Sequence, residues 1–424
     1  ADVTLGGAAS KLPDYSKRTV LTYTGSSWPT KLVPITDSSV TDAILGIGAA
    51  GDPTHADLIN YTLGQDVGDD VPPAGTTDTR HQMGDPIHTQ PVAVIYGKNA
   101  DGTDNTVIYA PTNDGFLHAI NAIANPNGTD NATSGQELWS YIPAEMLPHL
   151  VDLYNNDPTG TKHYGIDGSI TVLKYDVNGD GIIDPAGGDK VILYFGTGRN
   201  TDTSTYYALD VTSYQSPRLL WAIDGNTLPG IGQAWSQPVI ARVNVGGASQ
   251  NTQKLALVIG GGYDPAEDGY AYIAPPAGNP EAGSRLFLVD ALYGTLLWSA
   301  GSVPGANFIH PRMDHAIPSS VAVLDLDGDG YADRLYAGDM AGQLWRLDIT
   351  NGNPAATLAS GGVIASLGAR DVAGTPASQD RRFYNVPDVS SVQKSGVGPY
   401  INVALGSGYR GHPLDRVVQD RFYD

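Results

Sequence analysis

Two stretches of this chain place acidic or amide side chains at alternating positions around a glycine. Loop 1 (residues 176–184) and loop 2 (residues 325–333) both read D-x-[DN]-x-D-G-x-x-D. Oxygen ligands at positions 1, 3, 5 and 9, with a backbone carbonyl at position 7, suit calcium, which takes six to eight oxygens. The ligands predicted in this way are Asp176, Asn178, Asp180, Ile182 (backbone) and Asp184 in loop 1, and Asp325, Asp327, Asp329, Tyr331 (backbone) and Asp333 in loop 2.

The segments around both loops belong to a repeat of short apolar strands. One strand type follows a polar turn and a proline, as in residues 88–94 and 235–240, and a second ends in small residues, as in 191–196 and 334–338. A third type has a polar residue after an apolar pair, and its copies are residues 118–121, 207–210, 286–290 and 344–348. A fourth type contains Leu-Trp, and its copies are Leu138-Trp139, Leu220-Trp221 and Leu297-Trp298.

Four short strands that recur in this way predict an all-β chain folded as a β-propeller of four-stranded blades. We expect about seven blades, modified by long loop insertions, with the tryptophans packed between blades. Residues 81–424 contain the repeats, and residues 1–80 form an irregular N-terminal segment that contributes to the propeller. Within that segment, residues 66–78 are rich in Asp, Gly and Pro and predict an exposed loop.

Both loops fall in the same place in the repeat, between the first and second strands of a blade. Neither is an EF-hand loop, because the twelfth position, where an EF-hand has a bidentate glutamate, is Gly187 for loop 1 and Tyr336 for loop 2. A hairpin turn rich in Asp and Gly but without metal is the alternative. Two full matches at equivalent positions favour one calcium ion in each loop.

The composition excludes several classes of function. A net charge of −21 argues against binding to nucleic acid or to anionic membranes, and suits a protein that binds calcium. The absence of cysteine excludes disulfides, thiolate catalysis and Cys-based zinc sites. No run of eighteen apolar residues is present, so we expect no membrane span. The chain opens without a signal peptide and stops in mid-pattern at residues 421–424, which favours a C-terminal fragment of a larger exported protein over a cytosolic or processed one.

Several motifs of the chain together resemble a known family. Residues 84–92 read GDPIHTQPV, residues 109–119 read YAPTNDGFLHA, and residues 137–143 read ELWSYIP. With residues 325–348, which end in LWRLD, and residues 404–409, which read ALGSGY, they resemble the propeller domain of the PilY/PilC family of type IV pilus biogenesis proteins. The resemblance covers residues 80–424.

The resemblance implies an exported protein of the pilus tip and outer cell surface, with the periplasm as an alternative location. It implies a modified seven-bladed propeller that supports pilus extension and twitching motility, with calcium as the regulator. The partners it implies are pilus components, in particular minor pilins, and host or abiotic surfaces. No catalytic residue is implied, so we expect a protein that is not an enzyme.

Two other functions fit part of the sequence. A PQQ-dependent dehydrogenase has a related propeller, but this chain has no cysteine and its predicted calcium loops are peripheral. An integrin-like adhesion propeller unrelated to pili would share the calcium loops and differ in its partner. Among the histidines, His310 and His315 offer a zinc hypothesis, with hydrogen bonding at a turn as the alternative, whereas His118 and His163 are expected to be hydrogen-bonded blade residues.

Overall fold

The computed structural model describes residues 6–67, 78–125, 127, 129, 132–156, 160, 162–200, 203–247, 254–270, 282–369, 374–394, 396 and 398–424. The chain divides into two compact units. Unit 1 comprises residues 1–203 and 207–221, and unit 2 comprises residues 204–206 and 222–424. The loop predicted at residues 66–78 lies mostly outside the described residues, because 68–77 are not among them.

Unit 1 contains eleven strands and two α-helices in its described part, with the ends of two strands reaching residues of unit 2. The strands are β1 (Val20–Thr22), β2 (Thr30–Lys31), β3 (Val33–Pro34), β4 (Val92–Lys98), β5 (Asp104–Pro111), β6 (Leu117–Asn121), β7 (Glu137–Tyr141), β8 (Thr171–Tyr175), β9 (Lys190–Gly196), β10 (Tyr206–Asp210) and β11 (Arg218–Ile223). The helices are α1 (His55–Leu63) and α2 (Leu150–Asn155).

These strands form two sheets, each built on four consecutive strands. Sheet 1 has the order β3-β1-β7-β6-β5-β4, and sheet 2 has the order β2-β11-β10-β9-β8. The short N-terminal strands extend both sheets: β1 pairs in parallel with β7, placing Leu21 opposite Tyr141, and β2 pairs antiparallel with β11. The irregular N-terminal segment therefore adds edge strands to sheets whose main strands come later in the sequence.

Unit 2 contains the remaining twelve strands of the described residues. They are β12 (Val239–Arg242), β13 (Leu255–Gly260), β14 (Leu286–Asp290), β15 (Leu296–Gly301), β16 (Phe308–Ile309), β17 (Ala322–Leu324), β18 (Arg334–Gly338), β19 (Gln343–Ile349), β20 (Ala359–Ser366), β21 (Asp388–Lys394), β22 (Gly398–Gly406) and β23 (Phe422–Tyr423). Sheet 3 has the order β12-β13-β14-β15-β16, sheet 4 the order β17-β18-β19-β20, and sheet 5 the order β21-β22-β23.

Burial within a sheet depends on the position of the strand. Every residue of β6, β10 and β14, each the third main strand of its sheet, is buried, whereas β12 and β17, at the sheet edges, are half-buried or exposed. Strands covered on both faces are mostly apolar, and the polar residue that ends each of these three strands is buried as well.

Helices contribute little to the fold. Helix α1 begins after Thr54, whose side chain accepts a hydrogen bond from the Asp57 N–H, and ends at Gly64 in a left-handed conformation (φ 101°). Its buried Leu58 and Ile59 pack in one cluster with Leu150 of α2. In the described part of the chain, no helix has the length and apolar character needed to cross a bilayer.

The all-β prediction is confirmed, and so is the core role of four tryptophans. Trp139, Trp221, Trp298 and Trp345 are each at most 3% exposed. The described residues form five sheets, against the expected total of about seven blades. The difference arises at the N-terminus, where β1–β3 extend sheets 1 and 2 and build no separate blade among the described residues.

Candidate metal centres

Both acidic loops lie in the hairpin that the sequence predicted. Loop 1 follows β8 and precedes β9, the first two main strands of sheet 2, and loop 2 joins β17 to β18, the first two strands of sheet 4. In each sheet the strand before the loop is a terminal strand of the sheet order. The loops therefore begin at a sheet edge, and most of their residues are exposed.

Loop 2 is organised by hydrogen bonds from its backbone to its own carboxylates. The Asp325 carboxylate accepts from the Gly328 N–H (2.7 Å) and the Gly330 N–H (2.9 Å). Asp327 accepts from the Asp329 N–H at 3.1 Å, and Asp329 accepts from the Tyr331 N–H at 2.8 Å. These bonds fix the orientation of the side chains at positions 1, 3 and 5.

Asp333 closes loop 2. Its carboxylate accepts from the N–H of Leu326 at 2.6 Å, which ties position 9 to position 2. Carboxylate oxygens of Asp325, Asp327 and Asp333 all lie within 4.8 Å of one another. Three convergent carboxylates in an exposed turn can bind a hard divalent cation, and the charge repulsion among them is what such a cation would relieve.

The first six positions of loop 1 repeat this arrangement. The Asp176 carboxylate accepts from the N–H groups of Gly179 (2.7 Å) and Gly181 (2.8 Å). Asn178 accepts from the Asp180 N–H at 3.1 Å, and Asp180 accepts from the Ile182 N–H at 2.8 Å. The glycines at position 6 are left-handed in both loops, Gly181 with φ 81° and Gly330 with φ 87°, which explains why the pattern requires glycine there.

The two loops differ in the residue that closes them. The prediction placed Asp184 at the closing position, but in the structure Asp184 is exposed and caps a 3₁₀ turn, accepting from the Ala186 N–H at 2.9 Å. The bond from position 2 goes to Asp189 instead, whose carboxylate accepts from the Val177 N–H at 2.8 Å. Asp189 thus makes the contact that Asp333 makes in loop 2.

Asp189 is a functional candidate that counting along the motif missed. It is only 4% exposed and also accepts from the Asp184 N–H at 2.8 Å, so it fixes both ends of loop 1. Hydrogen bonds from the backbone N–H of Val177 and then of Asp184 hold its pKa below the ordinary value, which keeps the carboxylate charged. The signal available in the sequence was the following strand: Asp189 directly precedes β9, as Asp333 directly precedes β18.

Each loop is hydrogen-bonded to the sheet before it in the same unit. At position 8, the Ile183 N–H donates to the carbonyl of Tyr96 in β4 at 3.0 Å, and the Ala332 N–H donates to the carbonyl of Arg242 in β12 at 2.8 Å. Ile183 and Ala332 are both buried. The loops therefore connect sheet 1 to sheet 2 and sheet 3 to sheet 4 by the same bond.

Side chains at position 7 reinforce these connections. Ile182 lies over Gly97 of β4, and the Arg242 guanidinium lies 5.7 Å from the ring centroid of Tyr331. The backbone carbonyls of Ile182 and Tyr331, the predicted ligands, belong to residues whose N–H groups are already fixed by Asp180 and Asp329.

The contacts of His310 and His315 do not support the zinc site that was considered for them. His315 is buried and its Nδ1 lies 3.0 Å from the Glu267 carboxylate. Among the described residues, neither histidine belongs to a group of three convergent metal-ligand side chains.

Comparison with known proteins gives a match over most of the chain. The family model of the PilY1 beta-propeller domain matches residues 71–376. "Type IV pilus biogenesis factor PilY1" of Pseudomonas aeruginosa (strain UCBPP-PA14) is 27% identical over 245 residues, which are 57% of this chain and 17% of that protein. A PilY1 homolog of Xylella fastidiosa (strain Temecula1) is 28% identical over 256 residues, which are 58% of this chain and 14% of that protein.

One solved structure, the crystal structure of the Pseudomonas aeruginosa PilY1 C-terminal domain, aligns with 72% of this chain and 53% of that chain. The sequence identity is 21% and the TM-score is 0.45. The chain thus spans less than a fifth of the length of these curated relatives.

Proposed function

This chain belongs to the family of PilY1 β-propeller domains of type IV pilus biogenesis, and we propose that it acts there as a propeller whose two acidic loops bind calcium. The observation that supports the proposal is the repetition of one loop geometry in two sheets. Loop 1 and loop 2 share the hairpin position, the hydrogen bonds of positions 1, 3 and 5, and the bond from position 8 to the preceding sheet.

The donor chemistry fits calcium better than a softer metal. The side-chain donors are carboxylate and amide oxygens, joined by the backbone carbonyl at position 7, and no histidine or cysteine lies in either loop. The proposed ligands of loop 1 are Asp176, Asn178, Asp180, the Ile182 carbonyl and Asp189, which replaces the expected Asp184. Those of loop 2 are Asp325, Asp327, Asp329, the Tyr331 carbonyl and Asp333.

Calcium in such a loop supplies positive charge to a cluster of carboxylates. The protein contributes the turn, which the hydrogen bonds of Asp176 and Asp325 preform, and the bond from position 8 to the neighbouring sheet. Because position 8 adjoins the position-7 ligand, ordering the loop also orders the link between sheets 1 and 2 or between sheets 3 and 4. We infer that calcium acts as a clasp between adjacent blades.

We extend the proposal to the cellular location and the partners of the protein by analogy with its relatives. The relatives are pilus biogenesis factors, so we place this propeller in an exported, surface-exposed protein that supports pilus extension and twitching motility. Its proposed partners are pilus components such as minor pilins, and through them host or abiotic surfaces. We favour this scaffold over a quinoprotein enzyme because both acidic loops begin at a sheet edge and are mostly exposed.

Surface piliation tests the proposal. In a strain that lacks its own copy, the full-length protein is supplied as wild type, as the double variants Asp176→Asn with Asp189→Asn and Asp325→Asn with Asp333→Asn, or as the control Asp184→Asn. We expect pili on the wild type and the control, and fewer pili with a double variant at unchanged protein level. Normal piliation and motility in a double variant that no longer binds calcium would refute the regulatory role.

A further inference from the structure

A second kind of metal-ligand cluster lies in unit 1, away from the acidic loops. His149, Asp152 and His163 each offer a ligand atom, and these atoms all lie within 4.8 Å of one another. His163 Nε2 is 3.1 Å from Asp152 Oδ2, and the two imidazole rings are stacked with centroids 3.9 Å apart at an interplanar angle of 21°. We propose that these three residues bind a divalent transition-metal ion of the zinc type.

Local structure explains how the three residues meet. His149 directly precedes helix α2 and Asp152 lies in its first turn, a spacing of three residues that places both on one side of the helix. His163 comes from the segment that leads towards β8 and stacks on His149. The sequence predicts His163 to be a hydrogen-bonded blade histidine. It does pair with Asp152, but it lies outside the strands, and nothing in the local pattern shows that it packs against His149.

Donor type and separation both point to zinc. Two imidazole nitrogens and one carboxylate oxygen are typical ligands of an open zinc site, whereas calcium and magnesium require oxygen ligands. In a tetrahedral site with metal–ligand bonds of ~2.0–2.1 Å, ligand atoms lie about 3.3 Å apart. The 3.1 Å between His163 Nε2 and Asp152 Oδ2 is close to this value, and binding requires the stacked imidazole rings to rotate so that a nitrogen of each faces the ion.

The surroundings of the cluster support a bound cation with an open coordination position. The three residues line a pocket of about 350 Å³ together with Asp85, Asp114 and Asn113. The lining thus carries two carboxylates besides Asp152 and one ammonium group, that of Lys162. Asn113 is only 4% exposed, its Oδ1 accepts from the Gly165 N–H at 3.3 Å, and its Nδ2 has no hydrogen-bond partner among the described residues. An oxygen ligand on the metal would give this buried amide an acceptor.

Zinc titration of the untagged, EDTA-treated chain tests the proposal. Calorimetry is performed in excess calcium, so that the acidic loops do not compete for zinc. We expect one zinc ion per chain, bound at least about tenfold more weakly by His149→Gln and by His163→Gln, since even losing an outer partner of a zinc ligand costs about ten- to a hundredfold. The matched control is His55→Gln, because His55 forms an exposed pair with Asp42 (2.7 Å) and is expected to leave zinc binding unchanged.

A second measurement covers the case in which a variant fails to fold. Cobalt(II) bound to the wild-type chain in excess calcium is expected to give the visible bands of a low-coordinate site with imidazole ligands, and zinc is expected to remove them. Absence of these bands, or equal zinc affinity in the wild type and the folded His163→Gln variant, overturns the proposal.

Discussion

Replacing the closing residue of loop 1 is the sharpest test of how that loop is built. The perturbation is Asp189→Asn, and the matched control is Asp184→Asn, five residues earlier in the same connection between β8 and β9. The Asp189 carboxylate accepts hydrogen bonds at 2.8 Å from the N–H groups of Val177 and Asp184, at the two ends of loop 1. The Asp184 carboxylate accepts one bond, from the Ala186 N–H of the 3₁₀ turn that follows. Asparagine is a good cap, so the control is expected to behave like the wild type.

The size of the effect follows from the contacts. Asparagine at position 189 retains one acceptor oxygen, loses the negative charge and turns an NH₂ group towards one of two backbone donors. Losing one charged ligand or its support weakens a metal site by at least about tenfold. At calcium concentrations well above the dissociation constant, a tenfold loss is about 1.4 kcal/mol, which lowers the calcium-induced rise in melting temperature by about 3–5 °C for a cooperative unit of about 200 residues.

The assay is thermal unfolding of the three chains in EDTA and at several calcium concentrations. We expect the calcium-induced rise to shrink in Asp189→Asn and to match the wild type in Asp184→Asn. An equal loss in both variants, or a larger loss in Asp184→Asn, would refute the assignment of Asp189 as the closing residue and return that role to Asp184.

Three further predictions follow from single contacts. Gly330→Ala should lower the free energy of unfolding by about 1–2 kcal/mol and weaken calcium binding, because Gly330 has φ 87°. The control is Gly408→Ala, which also lies in open space but has no positive φ and should have neither effect. Burial alone would raise the pKa of Glu137, but Arg18 and His118 outweigh burial and lower the pKa to about 2. The charged carboxylate therefore stabilises the fold by about 3 kcal/mol above pH ~4.5, and this stabilisation is lost as the pH falls towards 2. In urea titrations, Glu137→Gln should reduce the loss of stability over that pH range. Trp298→Ala should cost about 3–5 kcal/mol, since the side chain is 1% exposed; a loss below 1 kcal/mol would contradict its core role.

The strands were predictable because the inner strands of each sheet are covered on both faces. Runs such as residues 286–289 are apolar throughout and end in a polar residue, here Asp290, and they recur with the same neighbours. The placement of β1–β3 was not predictable, because β1 pairs with β7 and β2 with β11 across more than a hundred residues of sequence. Such distant pairings leave no local pattern, and the number of blades depends on them.

The acidic loops show the same limit at a smaller scale. Positions 1 to 6 follow from local chemistry, because Asp176 and Asp325 bond to N–H groups three and five residues later. The closing position depends on where the next strand starts. A 3₁₀ turn after Asp184 delays β9, so that Asp189 occupies the place that Asp333 has before β18. The cluster at His149 was missed for a similar reason, because its members meet only in the folded chain.

The number of calcium ions bound per chain is the most direct test of the proposal that each acidic loop binds one ion. Metal-free chain is titrated with calcium in a calorimeter, as wild type and with each loop disabled by Asp176→Asn with Asp189→Asn or by Asp325→Asn with Asp333→Asn. We expect two calcium ions per wild-type chain, one in either double variant and none when both pairs of substitutions are combined. No calcium-dependent heat in the wild type, or two ions still bound by a folded double variant, would contradict it.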